Sequence, residues 1–305
     1  MRRPLLLAVA LAVSHAAPFR SLAADTAPSK TVLFFTKSSG WEHDMISRKK
    51  GAPSPAEKRM ATLATNNGRT LECSKDGRLF TPENLKRYGA IVFFTSAGLC
   101  ARGTDGEPPM SPDGKRALLD YVAGGGGFVG IHSASDTFHT ANESQKGPDR
   151  FVNHGDKADP YVRMLGGEFI RHGARQKARL GVADTTFPGL GKAAAGITLN
   201  EEWYSLKDFV PDIHVLLFQE TTGMKGIDYA RPPYPSTWIR RHGQGRVFYT
   251  ALGHREDVWA NPFFEALLTG GIGFALGDVK ADTTPNLEKV CPGWAQNPAM
   301  KAPAK

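Results

Sequence analysis

Histidines and carboxylates gather where short apolar runs of this sequence end. Gly130-Ile131-His132-Ser133-Ala134 leaves such a run and enters a turn. That is the layout of a nucleophile elbow, which thrusts a side chain out at the rim of a sheet. A histidine there can act as general acid or base, or bind a metal through neutral imidazole. The alternative is an imidazole satisfied by a nearby carboxylate that only buttresses the turn. Asp136, four residues on, can reach back to one ring nitrogen if the chain turns helically, or can simply cap an Asx turn. Glu202 lies beside Trp203 and Tyr204. Aromatic rings cover the apolar faces of a sugar while an acid holds its hydroxyls, and the same setting suits a carboxyl of raised pKa. An ordinary surface glutamate is the competing reading, and Glu201 cannot point the same way if the segment is a strand. His132, Asp136 and Glu202 are therefore the candidate catalytic groups. Trp41, His43, His172, Trp203, Tyr204, Trp238 and His254 are candidates for ligand binding. His43, His132, His172 and His254 could assemble a metal site, but none has local spacing such as His-Glu-x-x-His, so no residue is assigned as a metal ligand.

These residues need a scaffold that brings distant segments to one rim. Residues 31–36, 90–95 and 128–132 are short and apolar on both faces, as in parallel strands covered by helices. Residues 70–73 read as another strand. Helical spacing covers 56–66, a short helix ends over 85–88, and Ser111 caps a helix that Gly124 to Gly127 stop. The four glycines are no phosphate loop, since no helix follows them and no Gly-Lys-Ser/Thr closes the pattern. This alternation is that of a doubly wound α/β sheet, in which ligands bind outside the carboxyl ends of the strands. The second half is richer in strand, at 175–182, 215–220, 236–241 and 246–252. An amphipathic helix spans 261–276, and the proline-bearing tail 278–305 reads as loose.

The 305 residues include 41% hydrophobic and 22% charged residues, which excludes wholesale disorder. No apolar run reaches the roughly 18 residues of a membrane span. Residues 1–24 read as a cleavable signal peptide: Arg2 and Arg3, an apolar core from Leu5 to Val13, then Ser21-Leu22-Ala23-Ala24. The expectation is a periplasmic or secreted protein with no membrane span after cleavage. Cleavage removes Arg2, Arg3 and Arg20 and no acid, taking the formal charge from +8 to +5. That excess is scattered, without the aromatic interleaving of a nucleic-acid groove, so no nucleic-acid partner is expected. Cys73, Cys100 and Cys291 match no zinc or haem spacing and carry no assigned chemistry.

Several motifs resemble one family in order. Gly-Gly-Gly-Phe-Val-Gly-Ile-His at 125–132 with Asp136, Gly-Gly-x-Phe-x-x-His at 166–172, Glu-Glu-Trp-Tyr at 201–204 and Gly-Arg-Val-Phe-Tyr-Thr-Ala-Leu-Gly-His at 245–254 resemble the ThuA-like, or trehalose-utilisation, family. The early Trp-Glu-His-Asp is similar to that family's first loop. The resemblance covers residues 30–277. It implies a flavodoxin-like, class I glutamine amidotransferase-like three-layer sandwich with a mostly parallel central sheet and a β-rich second half. Those amidotransferases carry a cysteine where this chain has His132, so Cys-dependent glutaminase chemistry is not expected. The resemblance implies a role in bacterial catabolism of trehalose, related disaccharides or their 3-keto derivatives. Exported members resemble parts of systems with sugar dehydrogenase and cytochrome-like partners. Three readings stand: a hydrolase or lyase acting on a sugar or keto-sugar by acid/base chemistry, a noncatalytic carbohydrate-binding or accessory subunit, and a metal-dependent hydrolase. No cofactor is assigned, and a divalent metal such as zinc enters only with the third reading.

Overall fold

A computed structural model describes residues 29–141 and 147–300; the expected signal segment lies outside them. The chain runs β1 (Thr31–Phe35), α1 (Pro55–Asn66), β2 (Thr70–Ser74), α2 (Pro82–Leu85), β3 (Ala90–Phe93), α3 (Pro112–Ala123) and β4 (Gly127–Ile131). It continues through α4 (Pro160–Leu165), β5 (Glu168–His172), β6 (Gln176–Val182), β7 (Ile197–Glu201), β8 (Tyr204–Lys207) and β9 (His214–Gln219). β10 (Tyr234–His242), β11 (Gly245–Thr250), α5 (Glu256–Trp259), α6 (Pro262–Leu276) and α7 (Leu287–Val290) complete it.

Nine strands form one sheet in the order β2-β1-β3-β4-β11-β10-β9-β6-β7, while β5 and β8 pair separately. β2, β1, β3, β4 and β11 are mutually parallel, and the sheet is antiparallel from β10 outward. This is the flavodoxin-like, class I glutamine amidotransferase-like α/β sandwich. β1 shows why its strands read as apolar throughout. Val32 and Phe34 enter the core beneath α1 and α6, while Leu33 and Phe35 enter the core beneath α2, α3 and α4. A strand between two helical layers has no solvent face on which to carry polar residues.

The caps are local. Ser54 Oγ accepts from the Glu57 amide, and Glu57 Oε2 accepts from the Ser54 amide at 2.8 Å, a reciprocal box that starts α1. Ser111 caps α3 and Asn261 caps α6. The segment after Gly277, expected to be loose, is pinned within its described part. Leu287 and Cys291 are buried, and Asn286 Oδ1 accepts from the Val215 amide at 2.6 Å. Among the described residues no helix is long and apolar enough to cross a membrane.

Candidate active site

The carboxyl ends of β1, β4 and β11 point the same way because these strands are parallel, so the loops after them share one rim. Gly40 to Asp44 follow β1, His132 follows β4, and Gly253 to Glu256 follow β11. Glu202 arrives from the other side, just after β7. Together they border a cleft of about 1310 Å³ lined by Trp41, His43, Asp136, His172, Glu202, Tyr204 and His254 among others.

His132 begins a single 3-10 turn with φ of +46°, left-handed backbone for a residue with a side chain. A lone residue in that region costs roughly 1–2 kcal/mol. Its surroundings hold it there. Tyr249 Oη donates to the His132 carbonyl at 2.9 Å. A Cβ on Gly130 would lie 2.9 Å from both Leu165 Cδ1 and Tyr249 Cδ2 and 3.2 Å from Ala134 Cβ, so only glycine lets the turn close. His132 Nδ1 donates to the Ala251 carbonyl at 2.8 Å. This fixes the ring and leaves Nε2 facing Glu202 Oε2 at 3.4 Å.

Glu202 is ringed by imidazoles. Its Oε2 also lies 3.2 Å from His254 Nδ1, and its Oε1 lies 3.4 Å from His172 Nδ1. Burial pushes the Glu202 carboxyl up, but His132 and His254 outweigh burial and hold it well below the usual carboxylate range. His43 is pushed well below an ordinary histidine, first by burial and then by His132 and His254, so its imidazole is neutral near pH 7. Its Nε2 lies 3.4 Å from Tyr204 Oη. Tyr204 in turn lies against His132, with ring centroids 4.0 Å apart. Donor atoms of His43, His132, Glu202 and His254 all fall within 4.8 Å of one another, a set able to hold a metal ion.

Glu201 turns away from the cleft, as strand alternation requires. Its Oε1 accepts from the Glu202 amide at 2.8 Å and its Oε2 from the Gly253 amide at 3.2 Å, tying the Glu202 and His254 loops together. Nothing in the sequence marked that role.

Three expectations need correction. Asp136 does not orient His132: its Oδ1 accepts from His139 Nε2 at 2.9 Å, because the left-handed start of the turn sends it toward β5. Trp203 and Trp238 offer no surface to a ligand. Both are buried, with their Nε1 atoms donating to the Gln176 and Leu165 carbonyls at 2.8 Å. Trp41 is the reverse case, 73% exposed on a loop whose backbone is pinned by Ser96 Oγ to the Trp41 carbonyl at 2.7 Å and Thr104 Oγ1 to the Gly40 carbonyl at 2.6 Å.

A second polar cluster lies beside the cleft. His139 Nδ1 bonds Glu168 Oε1 at 2.9 Å. Burial disfavours the charged His139 ring, but Asp136 and Glu168 outweigh it and raise the ring to about 9. The buried Lys207 ammonium sits 2.7 Å from Asp208 Oδ2, 3.4 Å from Glu168 Oε2 and 3.1 Å from His154 Nδ1.

Comparison with known proteins agrees with this architecture. The family model described as trehalose utilisation (ThuA) matches residues 31–275. Among curated proteins none matches. A ThuA-like protein from Bacteroides uniformis superposes with a TM-score of 0.58 at 19% identity, over 85% of this chain and 95% of that one. A ThuA-like protein from Parabacteroides merdae gives 0.53 at 19% identity, over 87% and 96%. At such identity the likeness is one of fold.

Proposed function

The chain belongs to the trehalose-utilisation (ThuA) family, and from that premise we propose that it cleaves a disaccharide or keto-disaccharide by acid/base chemistry centred on Glu202. One observation carries the reading. Glu202 is a carboxylate held ionised at the cleft, with imidazoles of His132, His172 and His254 within 3.4 Å of its oxygens. An ionised acid beside partly exposed imidazoles supplies both halves of a proton transfer. For a keto-disaccharide, Glu202 takes the proton from the carbon between the carbonyl and the anomeric carbon. The glycosidic C–O bond then breaks, and the departing oxygen receives a proton from His172, which lies 3.4 Å from Glu202 Oε1 at the cleft. Water adds to the unsaturated sugar, so the sum is hydrolysis. Trp41 offers a ring to the apolar face of the sugar. His132, fully buried beneath Glu202, is a positioning residue. A sugar dehydrogenase, with a cytochrome-like acceptor, would be the partner that makes the carbonyl substrate, and export through residues 1–24 would place the reaction outside the cytoplasm.

The test is to incubate purified protein with trehalose and with its 3-keto derivative and to follow released monosaccharide by NMR. Turnover that Glu202→Gln lowers by roughly 10²–10⁴ supports the proposal. Saturable sugar binding without turnover would instead identify an accessory, carbohydrate-binding subunit.

A further inference from the structure

Three buried ring nitrogens at the cleft floor have no hydrogen-bond partner: His43 Nδ1, His132 Nε2 and His254 Nδ1. Leaving a buried polar atom unpaired costs roughly 1–3 kcal/mol. A fold that strands three of them around one carboxylate is bearing that cost for a ligand. We propose that His43, His132, His254 and Glu202 form a binding site for one divalent transition-metal ion, zinc by the character of the donors. The inference deepens the reading of this cleft as a reaction site and rests on it for its role, although the metal chemistry can be tested without any sugar.

Distances support it. Zinc bonds to imidazole and carboxylate of about 2.0–2.2 Å give a tetrahedron whose edges are about 3.3–3.6 Å. Glu202 Oε2 lies 3.4 Å from His132 Nε2 and 3.2 Å from His254 Nδ1, and all four donors fit within 4.8 Å. These pairs lie at ion-pair distance, and neither His132 Nε2 nor His254 Nδ1 has a hydrogen-bond partner. The outer contacts are those of a ligand histidine: His132 Nδ1 is tethered to a backbone carbonyl, which leaves Nε2 as the donor to an ion. Three soft-to-borderline nitrogens and one oxygen suit zinc better than magnesium or calcium, which prefer all-oxygen shells.

The neighbouring cluster sharpens the contrast. Donor atoms of His154, Glu168 and Asp208 also lie within 4.8 Å of one another. There the Lys207 ammonium stands among them and supplies the positive charge. Among the described residues, Glu202 has ion pairs to histidines alone. The four ligands come from four separate loops, so an ion would also tie the rim together. It would face the cleft, where it can polarise a carbonyl or hydroxyl oxygen of the substrate.

The experiment strips the protein with a chelator and titrates it with Zn²⁺ alone by calorimetry, then with Co²⁺ while recording visible absorption. The expected result is one equivalent bound, with the intense d–d bands of four-coordinate cobalt and a raised melting temperature. Glu202→Gln and His254→Ala should each weaken binding beyond the roughly 10–100-fold that loss of an outer contact causes. His154→Ala should leave it intact. Melting curves establish that the variants are folded, and two separate ligand variants guard against one that is not. Substoichiometric Zn²⁺ uptake by the folded wild type, or unchanged affinity in both ligand variants, overturns the proposal. Metal bound at one equivalent without sugar turnover would sink the catalytic reading and leave the site. Turnover by protein that takes up no Zn²⁺ in the titration would do the opposite.

Discussion

Raising the pH from 6 to 10 should remove a defined share of stability through His139. This imidazole is buried between Asp136 and Glu168, at 2.9 Å from each. Burial works against its charge, but the two carboxylates win and raise it from 6.5 to about 9. A group raised on folding contributes stability that is complete below its unfolded value and lost as pH climbs through its folded value. The window is therefore 6.5 to about 9, and at about 1.4 kcal/mol per pH unit the full loss is about 3.5 kcal/mol, of which about 3 falls between pH 6 and 10. The imidazole and Glu168 are nearly fully buried and Asp136 largely so, so screening takes little of it. Glu168, lowered from 4.5 to about 2, reports the same contact from its other side. Its contribution is present above 4.5 and is lost as pH falls toward 2, and the two are counted once. The assay is chemical denaturation of wild type and His139→Gln across pH 6 to 10, with the difference between them as the readout, since other groups cancel. That difference should shrink by about 3 kcal/mol, or very roughly 6–12 °C in Tm. A difference that stays constant from pH 6 to 10 would refute the ion-pair argument.

Three further outcomes follow. His132→Ala should lower kcat by roughly 10²–10⁴ with little change in KM, and should move the acid limb of the pH–rate profile upward, because Glu202 loses a neighbour that keeps it ionised; full activity per folded molecule would reduce His132 to a prop. Trp41→Ala should raise KM by about 2- to 13-fold, the worth of one exposed ring contact at about 0.5–1.5 kcal/mol, and leave the melting temperature unchanged; an unaltered KM would remove Trp41 from the ligand surface. Protein from its native host should begin near Ala24 or Asp25 on N-terminal sequencing, and a start at Met1 would sink the export reading.

The parallel half was legible because its strands carry the mark of their position. Ala90–Phe93 and Gly127–Ile131 are apolar on both faces, as a strand between two helical layers must be. β5, β7 and β8 escaped because Glu168–His172, Ile197–Glu201 and Tyr204–Lys207 are short and polar, and their burial comes from tertiary neighbours rather than from pattern. The site divided in the same way. His132 was readable from one local feature, a turn closing a buried strand. Its contacts with Ala251, 119 residues away, and with Glu202 depend on which strands become neighbours, and no spacing encodes that. Asp136 misled because four residues suggested a helical reach-back, whereas a left-handed first residue rotates the turn toward His139. Trp238 misled because an aromatic residue in a strand near the rim looks the same in sequence whether it faces a ligand or Leu165.

The elbow itself separates backbone from chemistry. Gly130 admits the close approach of Ala134, Tyr249 bonds the His132 carbonyl, and neither interaction depends on the side chain at 132. Such a turn can deliver a thiol in one protein and an imidazole in another at little cost to the fold. The chemistry then changes with what stands above the turn. A thiol in the amidotransferase manner must meet its substrate directly. Here the residue at 132 is fully buried and Glu202 lies above it, at the lining of the cleft. With Nδ1 committed to Ala251, His132 has one ring nitrogen left, and that nitrogen faces Glu202 rather than the cleft. The imidazole therefore cannot be the attacking group. On the proposed reading it works through the carboxylate, or through an ion that both would hold, and Glu202 is the group that meets a ligand's reacting atoms.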